Sequence, residues 1–531
     1  MIKAIFIDID GTLKDSNRNL SARTIETIRK VTEKGILVIL CSGRPRKYTE
    51  EISRECFASK YIITSSGGNI YDYEQNKILY VNKMDKEALI RLYEIANPED
   101  VRFIMNVGEG RVVNKVKHVN QEKKLEENIR DFVYKNDVVQ CTIADNNFDK
   151  IKNLIPKIEK VDNVEIKNRH KSLLDIKFKD DKTVFCDIAN IDSNKGIAVK
   201  KMLEILNIKK EETIAIGDDN NDLSMFEQVE YKVAMGNAID IVKQKADEIT
   251  LSNDEDGVAV FLDKLLKKLE LLEKLNEFYI YANEGLYIDK IIKNSTYTMT
   301  YSKYVKDYDC NYVIDLNSNE NFEKIETEIK KVDRIPCYIV TPLSSIYKDR
   351  KLIFDKNKYD EASNEIWQIY KDFDNVDKIN SKCTLNVKLE KTSDMKKLSK
   401  ITYKSFCTGD ESDPYGDFDR GYLKLYENYD NKTERTYIRE FYFIKVNNEI
   451  VGCTVSVFDD EIFGIYGIAI MKEYRGKGIG KEAIKQQLKI CKHKNRKIAF
   501  LQTEDGFYPA DLYRKIGFKD VCNVYYYVKK N

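Results

Sequence analysis

The stretch KAIFIDIDGT, residues 3–12, decides the fold of the first part of this chain. Its apolar residues predict a buried β-strand over residues 3–9. Gly11 permits the sharp turn that must follow the strand. Side chains two residues apart on a strand point the same way, so Asp8 and Asp10 are expected to lie together at its carboxyl end. A strand-end Asp turn is the plain alternative for this motif taken alone.

Helix-like and strand-like segments alternate outward from this strand. They are 20–34 (helix, with Ser21 as N-cap and Gly35 at its end), 36–41 (strand), 198–207 (helix), 213–216 (strand) and 221–228 (helix). This alternation predicts a parallel sheet with right-handed crossovers, a Rossmann-like α/β fold. Between about 73 and 186 the pattern changes to short strands, such as 172–178, and a helix near 148–160. That stretch predicts an α+β unit inserted into the first domain.

Polar segments follow predicted strands or begin predicted helices. They are Ser42-Gly43-Arg44, Asn194-Lys195-Gly196 and Gly217-Asp218-Asp219-Asn220-Asn221-Asp222. Open parallel sheets bind ligands at the carboxyl edge of their strands. A carboxylate such as Asp8 can attack phosphorus, and one two residues further on can move the proton of the leaving oxygen. Clustered carboxylates without His or thiolate suit a hard cation, and phosphate beside them favours Mg²⁺.

Five motifs carry a family resemblance: DIDGT (8–12), CSGRP (41–45), DSNKG (192–196), GDDNND (217–222) and VAMGNA (233–238). In order and spacing they resemble the haloacid dehalogenase superfamily, specifically its Cof-type sugar-phosphatase branch, over residues 1–268. The resemblance implies a core of residues 1–72 and 187–268 and a cap at about 73–186 that sets substrate choice. Ser66-Gly67-Gly68 stands where the family usually carries NGA, and we expect a variation in substrate or packing there.

The same resemblance implies roles for the site residues. Asp8 would be the nucleophile and Asp10 the general acid and base, acting on a small phosphate ester such as a sugar phosphate. The residues implied to bind phosphate are Ser42, Gly43, Lys195 and Asn221. Those implied to hold Mg²⁺ are Asp8, Asp10 through its backbone carbonyl, Asp218 and, in support, Asp222.

A second glycine-rich turn, RGKGIG at 475–480, lies between a predicted strand (466–470) and a predicted helix (481–492). Glycines let the backbone approach an anion, and a helix start presents unpaired N–H groups to it. The plain alternative is a flexible loop or tight packing.

The order of strand, RGKGIG, helix, strand (498–503) and LYRKIGF (512–518) resembles the GNAT acyltransferase family over residues 383–531. Arg475, Gly478 and Gly480 meet its Q/R-x-x-G-x-G/A pattern. The resemblance implies that Tyr513 protonates the departing thiolate. The backbone implied to pair with the pantetheine arm of acetyl-CoA is that of Ile468, Ala469 and Ile470. The amides implied to hold its pyrophosphate are those of Arg475, Gly476, Lys477, Gly478, Ile479 and Gly480.

The acetyltransferase pattern has two gaps. The asparagine that many members carry before the tyrosine helix is absent, and Gly506 stands near its place. No general base is evident, and Glu504 is a guess that a solvated strand-end carboxylate explains equally well. Tyr513 has its own plain alternative, an aromatic core residue of the last helix. The C-terminal half is therefore either an N-acetyltransferase with a small amine acceptor or a non-catalytic acetyl-CoA sensor that regulates the phosphatase.

The middle of the chain is less informative. A charged amphipathic helix at 258–276 is expected to end the first domain. Residues 277–380 predict a folded but uncharacterised domain, with a strand at 335–341, a helix at 359–373 and a faint resemblance to a degenerate GNAT half. The acetyltransferase domain is predicted over 383–531.

Composition excludes several classes of function. With 89 basic and 88 acidic residues the net charge is +1, which gives no reason to expect nucleic acid or an anionic membrane as partner. The N-terminus does not resemble a signal peptide. Eleven cysteines without CxxC pairs indicate reduced thiols and a cytoplasmic protein. The sequence thus predicts a bifunctional enzyme: a Mg²⁺-dependent phosphatase joined to an acetyl-CoA-dependent N-acetyltransferase.

Overall fold

The structure is a computed structural model that describes residues 2–108, 110–117, 122–167, 183–316, 322–407, 420–429 and 437–529. The chain divides into two compact units, Ile2–Lys268 and Leu269–Asn531. All eleven cysteines lie among the described residues, and none forms a disulfide. Among the helices of these described ranges, none has the length and apolar character needed to cross a membrane. The predicted strand 172–178 lies outside the described residues.

The first unit is built on two sheets. Its strands are β1 (Ala4–Asp8), β2 (Leu37–Cys41), β3 (Tyr61–Thr64), β4 (Asn69–Asp72), β5 (Lys77–Val81), β6 (Arg102–Val107), β7 (Gly110–Val113), β8 (Glu122–Lys124), β9 (Val138–Asp145), β10 (Val164–Ile166), β11 (Val184–Asn190), β12 (Thr213–Gly217), β13 (Tyr231–Ala234) and β14 (Glu248–Ile249). Its helices are α1 (Ala22–Glu33), α2 (Arg46–Glu55), α3 (Lys86–Ala96), α4 (Ile129–Lys135), α5 (Phe148–Ile158), α6 (Lys195–Leu206), α7 (Leu223–Phe226), α8 (Asp240–Lys245) and α9 (Gly257–Tyr281), which continues into the second unit.

The larger sheet has the order β14-β13-β12-β1-β2-β3-β4-β5. It is parallel from β14 to β3, which confirms the predicted α/β class, and antiparallel from β3 to β5. All five residues of β1 are buried, as a central strand of an α/β sheet requires. In the register, Ile7 pairs with Ile216 and Asp8 with Cys41. The carboxyl ends of β12, β1 and β2 therefore lie side by side.

The smaller sheet has the order β10-β11-β9-β6-β7-β8 and is antiparallel except where β7 meets β8. Helices α3, α4 and α5 bury their apolar sides against it in one hydrophobic cluster. Residues 77–81 of the predicted insert belong instead to the larger sheet, as β5. Because the described strands from β6 to β11 pair only with one another, this sheet is a separate layer inserted between β5 and α6 in the chain.

The second unit contains one sheet. Its strands are β15 (Lys290–Lys293), β16 (Thr298–Tyr301), β17 (Val313–Ile314), β18 (Cys337–Val340), β19 (Tyr359–Tyr370), β20 (Val387–Thr392), β21 (Ile438–Val446), β22 (Glu449–Phe458), β23 (Ile462–Ile470), β24 (Ile498–Glu504) and β25 (Lys519–Lys529). Its helices, after α9, are α10 (Phe322–Lys330), α11 (Arg350–Lys356), α12 (Met395–Phe406), α13 (Gly421–Glu427), α14 (Ile479–His493) and α15 (Tyr508–Ile516). The strand order is β15-β16-β17-β18-β25-β19-β24-β23-β22-β21-β20.

Residues 277–380 and 383–531 share this sheet. Strand β25, from the end of the chain, lies between β18 and β19, and β19 in turn lies between β25 and β24. The two segments that the sequence analysis treated separately thus exchange strands, and each completes the hydrogen-bond ladder of the other. The domain limits themselves stay a prediction.

The helix predicted at 359–373 is wrong, because residues 359–370 form the strand β19. The segment pairs with β24 on one side and with β25 on the other. Its last five residues, 366–370, are all buried, so both faces of the sheet are covered here. Strand pairing and burial on two faces override local helix preference, and neither can be read from the segment alone.

Candidate active sites

Three carboxylates meet at the carboxyl edge of the larger sheet. Asp8 ends β1, and Asp218 and Asp222 follow β12. One oxygen from each of these side chains lies within 4.8 Å of the others. The parallel register therefore brings together residues that stand more than 200 positions apart in the sequence.

Lys195, the first residue of α6, is buried among these carboxylates. Its Nζ donates to Asp8 Oδ1 at 2.5 Å and to Asp222 Oδ1 at 2.7 Å. Burial by itself lowers the pKa of Lys195, but the charges of Asp222 and Asp8 raise it above its usual range. Burial also raises the pKa of Asp8 well above its ordinary value, against the effect of Lys195. The lysine is thus fixed as a cation beside a carboxylate that is costly to ionise.

Both carboxylate oxygens of Asp222 accept hydrogen bonds within the protein. Besides the contact to Lys195, its Oδ2 accepts the backbone N–H groups of Asp218 at 2.9 Å and Asp219 at 3.1 Å. These bonds hold the turn that follows β12 in shape. Asp222 therefore positions Lys195 and Asp218 and has little capacity left for a direct metal contact.

Asp218 approaches the turn after β1 closely. Thr12 Oγ1 donates to Asp218 Oδ1 at 2.6 Å. A Cβ at Gly11 would lie 2.4 Å from Asp218 Oδ2, and Gly11 has a φ of +85°, so only glycine fits this position. Burial and the neighbouring Asp222 raise the pKa of Asp218 to about 7. Sequence reasoning quoted Thr12 within the first motif but gave it no role.

Asp10 points toward Arg44 and lies outside the three-carboxylate group. Arg44 Nε and one of its terminal nitrogens donate to the two Asp10 oxygens at 2.9 and 3.0 Å. Burial raises the pKa of Asp10, but the bonds and charge of Arg44 outweigh it and lower the pKa below its ordinary value. Sequence reasoning missed this bidentate pair. The sequence feature that could have indicated this pair is the arginine directly after Ser42-Gly43.

Of the residues predicted to bind phosphate, Lys195 and Asn221 line a cleft of ≈ 270 Å³, whereas Ser42 and Gly43 are not part of its lining. Asn221 Oδ1 and Ser193 Oγ are buried there without a hydrogen-bond partner among the described residues. Ser42 is fully buried, and its Oγ accepts the backbone N–H of Arg44 at 3.1 Å. Glu165 and Lys167, from the inserted layer, line the same cleft. Unpaired polar atoms at its floor indicate that a polar ligand completes it.

The sequence at residues 66–68, which differs from the NGA that the related family usually carries, has a steric explanation. Ser66 lines the cleft. A Cβ at Gly68, where the related family usually has alanine, would lie 3.1 Å from the Ser65 carbonyl oxygen and 3.2 Å from Val139 Cβ of β9. Close packing against the inserted layer thus accounts for glycine at this position.

A divalent metal fits the carboxylate group. The donors are all oxygens, and three carboxylates against the single ammonium of Lys195 leave two negative charges in excess when all are ionised. Oxygen-only donors of this charge suit Mg²⁺ better than zinc or copper. Asp8 and Asp218 have the free oxygens for it, whereas the oxygens of Asp222 are used within the protein.

The second predicted site lies where β23 and β24 separate. The two strands pair in parallel only from Ile462 to Gly464 and from Ile498 to Phe500. β23 continues to Ile470 and β24 to Glu504. Over these described continuations no ladder joins the two strands, so the β23 backbone at 468–470 faces an opening. Apart from the Ile470 carbonyl, which accepts from Arg475, the backbone groups that face the opening are available to a ligand laid between the strands.

The glycine turn prepares the start of α14. Gly476 and Gly478 both have a φ of +77°, and Gly478 precedes α14 without a side-chain cap. Arg475 donates to the Ile470 carbonyl at 3.0 Å and also to that of Ser405, so its guanidinium fixes the turn. Lys477 Nζ donates to the Glu473 carbonyl at 2.9 Å. Side chains thus hold the turn in place, and its backbone N–H groups lie at the start of α14.

Tyr513 lies on α15 and packs against Phe518, with ring centroids 5.9 Å apart. It is partly buried in the same hydrophobic cluster as Ile468, on the face of the sheet that α14 covers. The packing role and the proton-donor role that the sequence analysis weighed are compatible with this position. Glu504 ends β24, and burial raises its pKa.

Comparison with known proteins agrees with both halves. Residues 5–262 match the family described as haloacid dehalogenase-like hydrolase, and residues 403–518 match the acetyltransferase (GNAT) family. A 5-amino-6-(5-phospho-D-ribitylamino)uracil phosphatase of Bacillus subtilis is 30% identical over 259 residues, which are 49% of this chain and 93% of that protein. A second Bacillus subtilis phosphatase of the same description is 29% identical, over 50% of this chain and 98% of its own.

A solved haloacid dehalogenase-like hydrolase from Bacteroides thetaiotaomicron is 28% identical and covers 50% of this chain and 100% of its own, with a TM-score of 0.43. The relatives thus account for about half of this chain.

Metal-free protein is expected to lose stability as the pH rises from about 4 to 7. Burial and Asp222 raise the pKa of Asp218 from 3.8 to about 7, so over this range the folded state holds a proton that the unfolded state has released. The free energy of unfolding should therefore fall by up to about 1.4 kcal/mol per pH unit. Melting temperatures in EDTA across this range would measure the slope.

Mg²⁺ should raise the melting temperature more at pH 8 than at pH 5, because it replaces the proton. Asp218→Asn should reduce the slope and lose the Mg²⁺ response, whereas Asp162→Asn, at an exposed position of the inserted layer, should behave as wild type. An undiminished Mg²⁺ response in Asp218→Asn would contradict the metal assignment.

Proposed function

Through residues 5–262 the chain belongs to the haloacid dehalogenase-like hydrolases, and we propose that this half is a Mg²⁺-dependent phosphatase of small phosphorylated metabolites such as sugar phosphates. One observation carries the proposal: Asp8, at the end of the central strand, is held by the buried Lys195 beside a cleft with unpaired polar atoms. A fixed cation next to a carboxylate in a water-poor recess is what attack on a phosphate ester needs.

In the proposed reaction an Asp8 oxygen attacks phosphorus and the bond to the ester oxygen breaks. Asp10 gives a proton to the leaving oxygen and later takes one from the water that attacks the aspartyl-phosphate. Lys195, Ser42 and Asn221 bind the phosphoryl oxygens. Mg²⁺, held by Asp8, the Asp10 backbone carbonyl and Asp218, would supply a charge that stabilises those oxygens.

In the proposed reaction, the Asp10–Arg44 ion pair determines when Asp10 can act as an acid. A carboxyl group must carry a proton to act as an acid, and Arg44 lowers the pKa of Asp10. Asp10 can therefore act as an acid only after the two side chains separate. We expect substrate phosphate, an alternative partner for Arg44, to bring about that separation.

For the C-terminal half we propose acetyl-CoA-dependent N-acetyl transfer. The nitrogen of a small amine attacks the thioester carbonyl, the C–N bond forms, the C–S bond breaks, and Tyr513 gives a proton to the thiolate. The opening between β23 and β24 and the glycine turn at 475–480 support acetyl-CoA binding. The predicted domain limits and the cytoplasmic location stay predictions.

Asp8→Asn should abolish phosphatase activity and leave the fold intact. The amide keeps the shape and can still accept from Lys195, but it is a poor nucleophile. Hydrolysis of p-nitrophenyl phosphate and circular dichroism would measure the two effects. Asp162→Asn serves as the matched control at an exposed position. Turnover by Asp8→Asn within tenfold of wild type, after mass spectrometry has excluded deamidation, would contradict the assignment.

Gly480→Asp should weaken acetyl-CoA binding at least tenfold. An added Cβ there has only Ile470 Cγ1 near it, at 4.0 Å, so the fold accepts a small side chain. Its carboxylate, however, would repel the pyrophosphate at the start of α14. Calorimetry with acetyl-CoA would measure the loss. Gly110→Asp, which also adds a carboxylate in open space, should bind as wild type. Equal acetyl-CoA affinities of Gly480→Asp and the control variant would show that the turn at 475–480 is not part of the acetyl-CoA site.

The variant Tyr513→Phe distinguishes an N-acetyltransferase from a non-catalytic acetyl-CoA sensor. Phenylalanine keeps the packing on Phe518, so acetyl-CoA affinity should stay within twofold. Thiol release in the presence of primary amines should fall at least tenfold, since the proton donor is gone. If wild type binds acetyl-CoA and no amine of a panel of diamines, amino sugars and amino acids elicits thiol release, the sensor alternative stands.

A further inference from the structure

Two glutamates face each other across strands of the C-terminal sheet. Glu365 of β19 and Glu504 of β24 are direct partners in the antiparallel register. Like charges in this arrangement are destabilising. Asp309, which precedes β17, lies near them, because the adjacent Tyr308 packs on Tyr526, the donor to Glu365, with ring centroids 6.4 Å apart. Burial and then the charges of Asp307 and both glutamates raise the pKa of Asp309. A sheet that places carboxylates opposite one another needs a compensating charge.

The described residues do not supply that charge. Among the described residues no lysine or arginine pairs with Asp309, Glu365 or Glu504, and the one hydrogen bond that reaches them comes from Tyr526, whose hydroxyl donates to Glu365 at 2.7 Å. Burial, followed by the Glu504 charge, raises the pKa of Glu365 to about 7. Its side chain is nevertheless half-buried, and Asp309 and Glu504 are exposed. Solvent therefore reaches this acidic group, and we call the space that its three carboxylates border the recess.

Unpaired polar atoms lie in the aromatic cluster next to Glu365. The hydroxyl of Tyr312 and Nε1 of Trp367 are fully buried without a partner in the described part of the chain. Both rings pack on Tyr279, with centroids 5.8 and 5.3 Å away. Tyr279 shares a 2.7 Å hydrogen bond with Tyr526, the residue that donates to Glu365.

Two features place these residues near Glu365. Trp367 stands two residues after Glu365 on β19, so the two side chains lie on one face of the sheet. Tyr312 and Trp367 also share a hydrophobic cluster with Tyr526, the residue that donates to Glu365.

We propose that this recess binds a small aliphatic amine with more than one ammonium group, and that one of these ammonium groups is the acetyl acceptor of the C-terminal half. Separate carboxylates match separate positive charges. They do not match one metal ion, because in the described residues the carboxylates close enough for a single ion are those of Asp8, Asp218 and Asp222. Tyrosine rings around the carboxylates add cation–π attraction for ammonium groups.

The proposal gives residues 277–380 a function. They supply Tyr279, Asp309 and Glu365, while the segment from 383 onward supplies Glu504 and Tyr526. The recess therefore exists only where the two segments share a sheet. In the transfer step a carboxylate of the recess takes the ammonium proton, the nitrogen attacks the thioester carbonyl, and the thiolate leaves with a proton. This step rests on the proposed acetyl-CoA chemistry, whereas binding of the amine does not.

Calorimetry of the full chain with spermidine tests the proposal. Wild type should bind it, and added salt should weaken the binding because the attraction is between charges. 1,8-Octanediol, a neutral chain, should not bind. Glu365→Gln and Asp309→Asn should each weaken spermidine binding at least tenfold. Asp374→Asn, which removes one carboxylate from a side chain that is 99% exposed, should bind as wild type.

Acetyl-CoA titration and circular dichroism of each variant keep the outcomes separable. Loss of spermidine binding with unchanged acetyl-CoA affinity supports the recess as the amine site. Spermidine binding without acetyl-CoA binding supports the recess and refutes the transferase. Absence of spermidine binding by folded wild type at 10 mM, or equal affinity in Glu365→Gln, Asp309→Asn and Asp374→Asn, overturns the proposal.

Discussion

The ion contact of Lys195 with Asp8 and Asp222 is the constraint on which the first unit depends. A buried ammonium is tolerated only with carboxylates at hydrogen-bond distance, and loss of one partner of a buried pair typically costs about 3–5 kcal/mol. Three separate parts of the chain must therefore meet: the end of β1, the start of α6 and the turn after β12. The parallel register of β12, β1 and β2 brings them to one edge of the sheet. The same contact that satisfies the charge also fixes the proposed nucleophile.

The carboxylates around this centre have different electrostatic surroundings, and we expect them to have different roles for that reason. Asp8 and Asp218 have raised pKa values because burial and neighbouring carboxylates disfavour their ionised forms. Asp10 is half-exposed and bound by Arg44, and its pKa is lowered. Residues two apart on the chain thus have opposite electrostatic surroundings. A proton can be held at one and released at the other, which is a requirement for combined nucleophilic and acid–base chemistry.

In the second unit the organising constraint is strand exchange. β25 closes the ladder of the preceding segment, and β19 closes that of the acetyltransferase segment. Buried aromatic side chains from both segments join in one hydrophobic cluster, which includes Phe278, Trp367 and Phe500. This arrangement also places Glu365 opposite Glu504. An acidic recess is thus a consequence of how the sheet is completed.

The sequence by itself determined the motifs and their order, because each motif is local: a strand, the turn that ends it, and polar side chains at fixed spacing. KAIFIDIDGT and GDDNND predicted the sheet and its carboxyl edge, and RGKGIG predicted the strand–turn–helix of the second half. Tertiary structure alone decided what those residues contact. The Arg44–Asp10 pair, the Thr12–Asp218 bond and the Glu365–Glu504 pairing join residues on different elements, and no local spacing encodes them. Residues 359–370 show the same limit for secondary structure, since a segment with helical spacing became a central strand once two partner strands covered its edges. Local sequence sets what a segment can form, and long-range pairing and burial select among those possibilities.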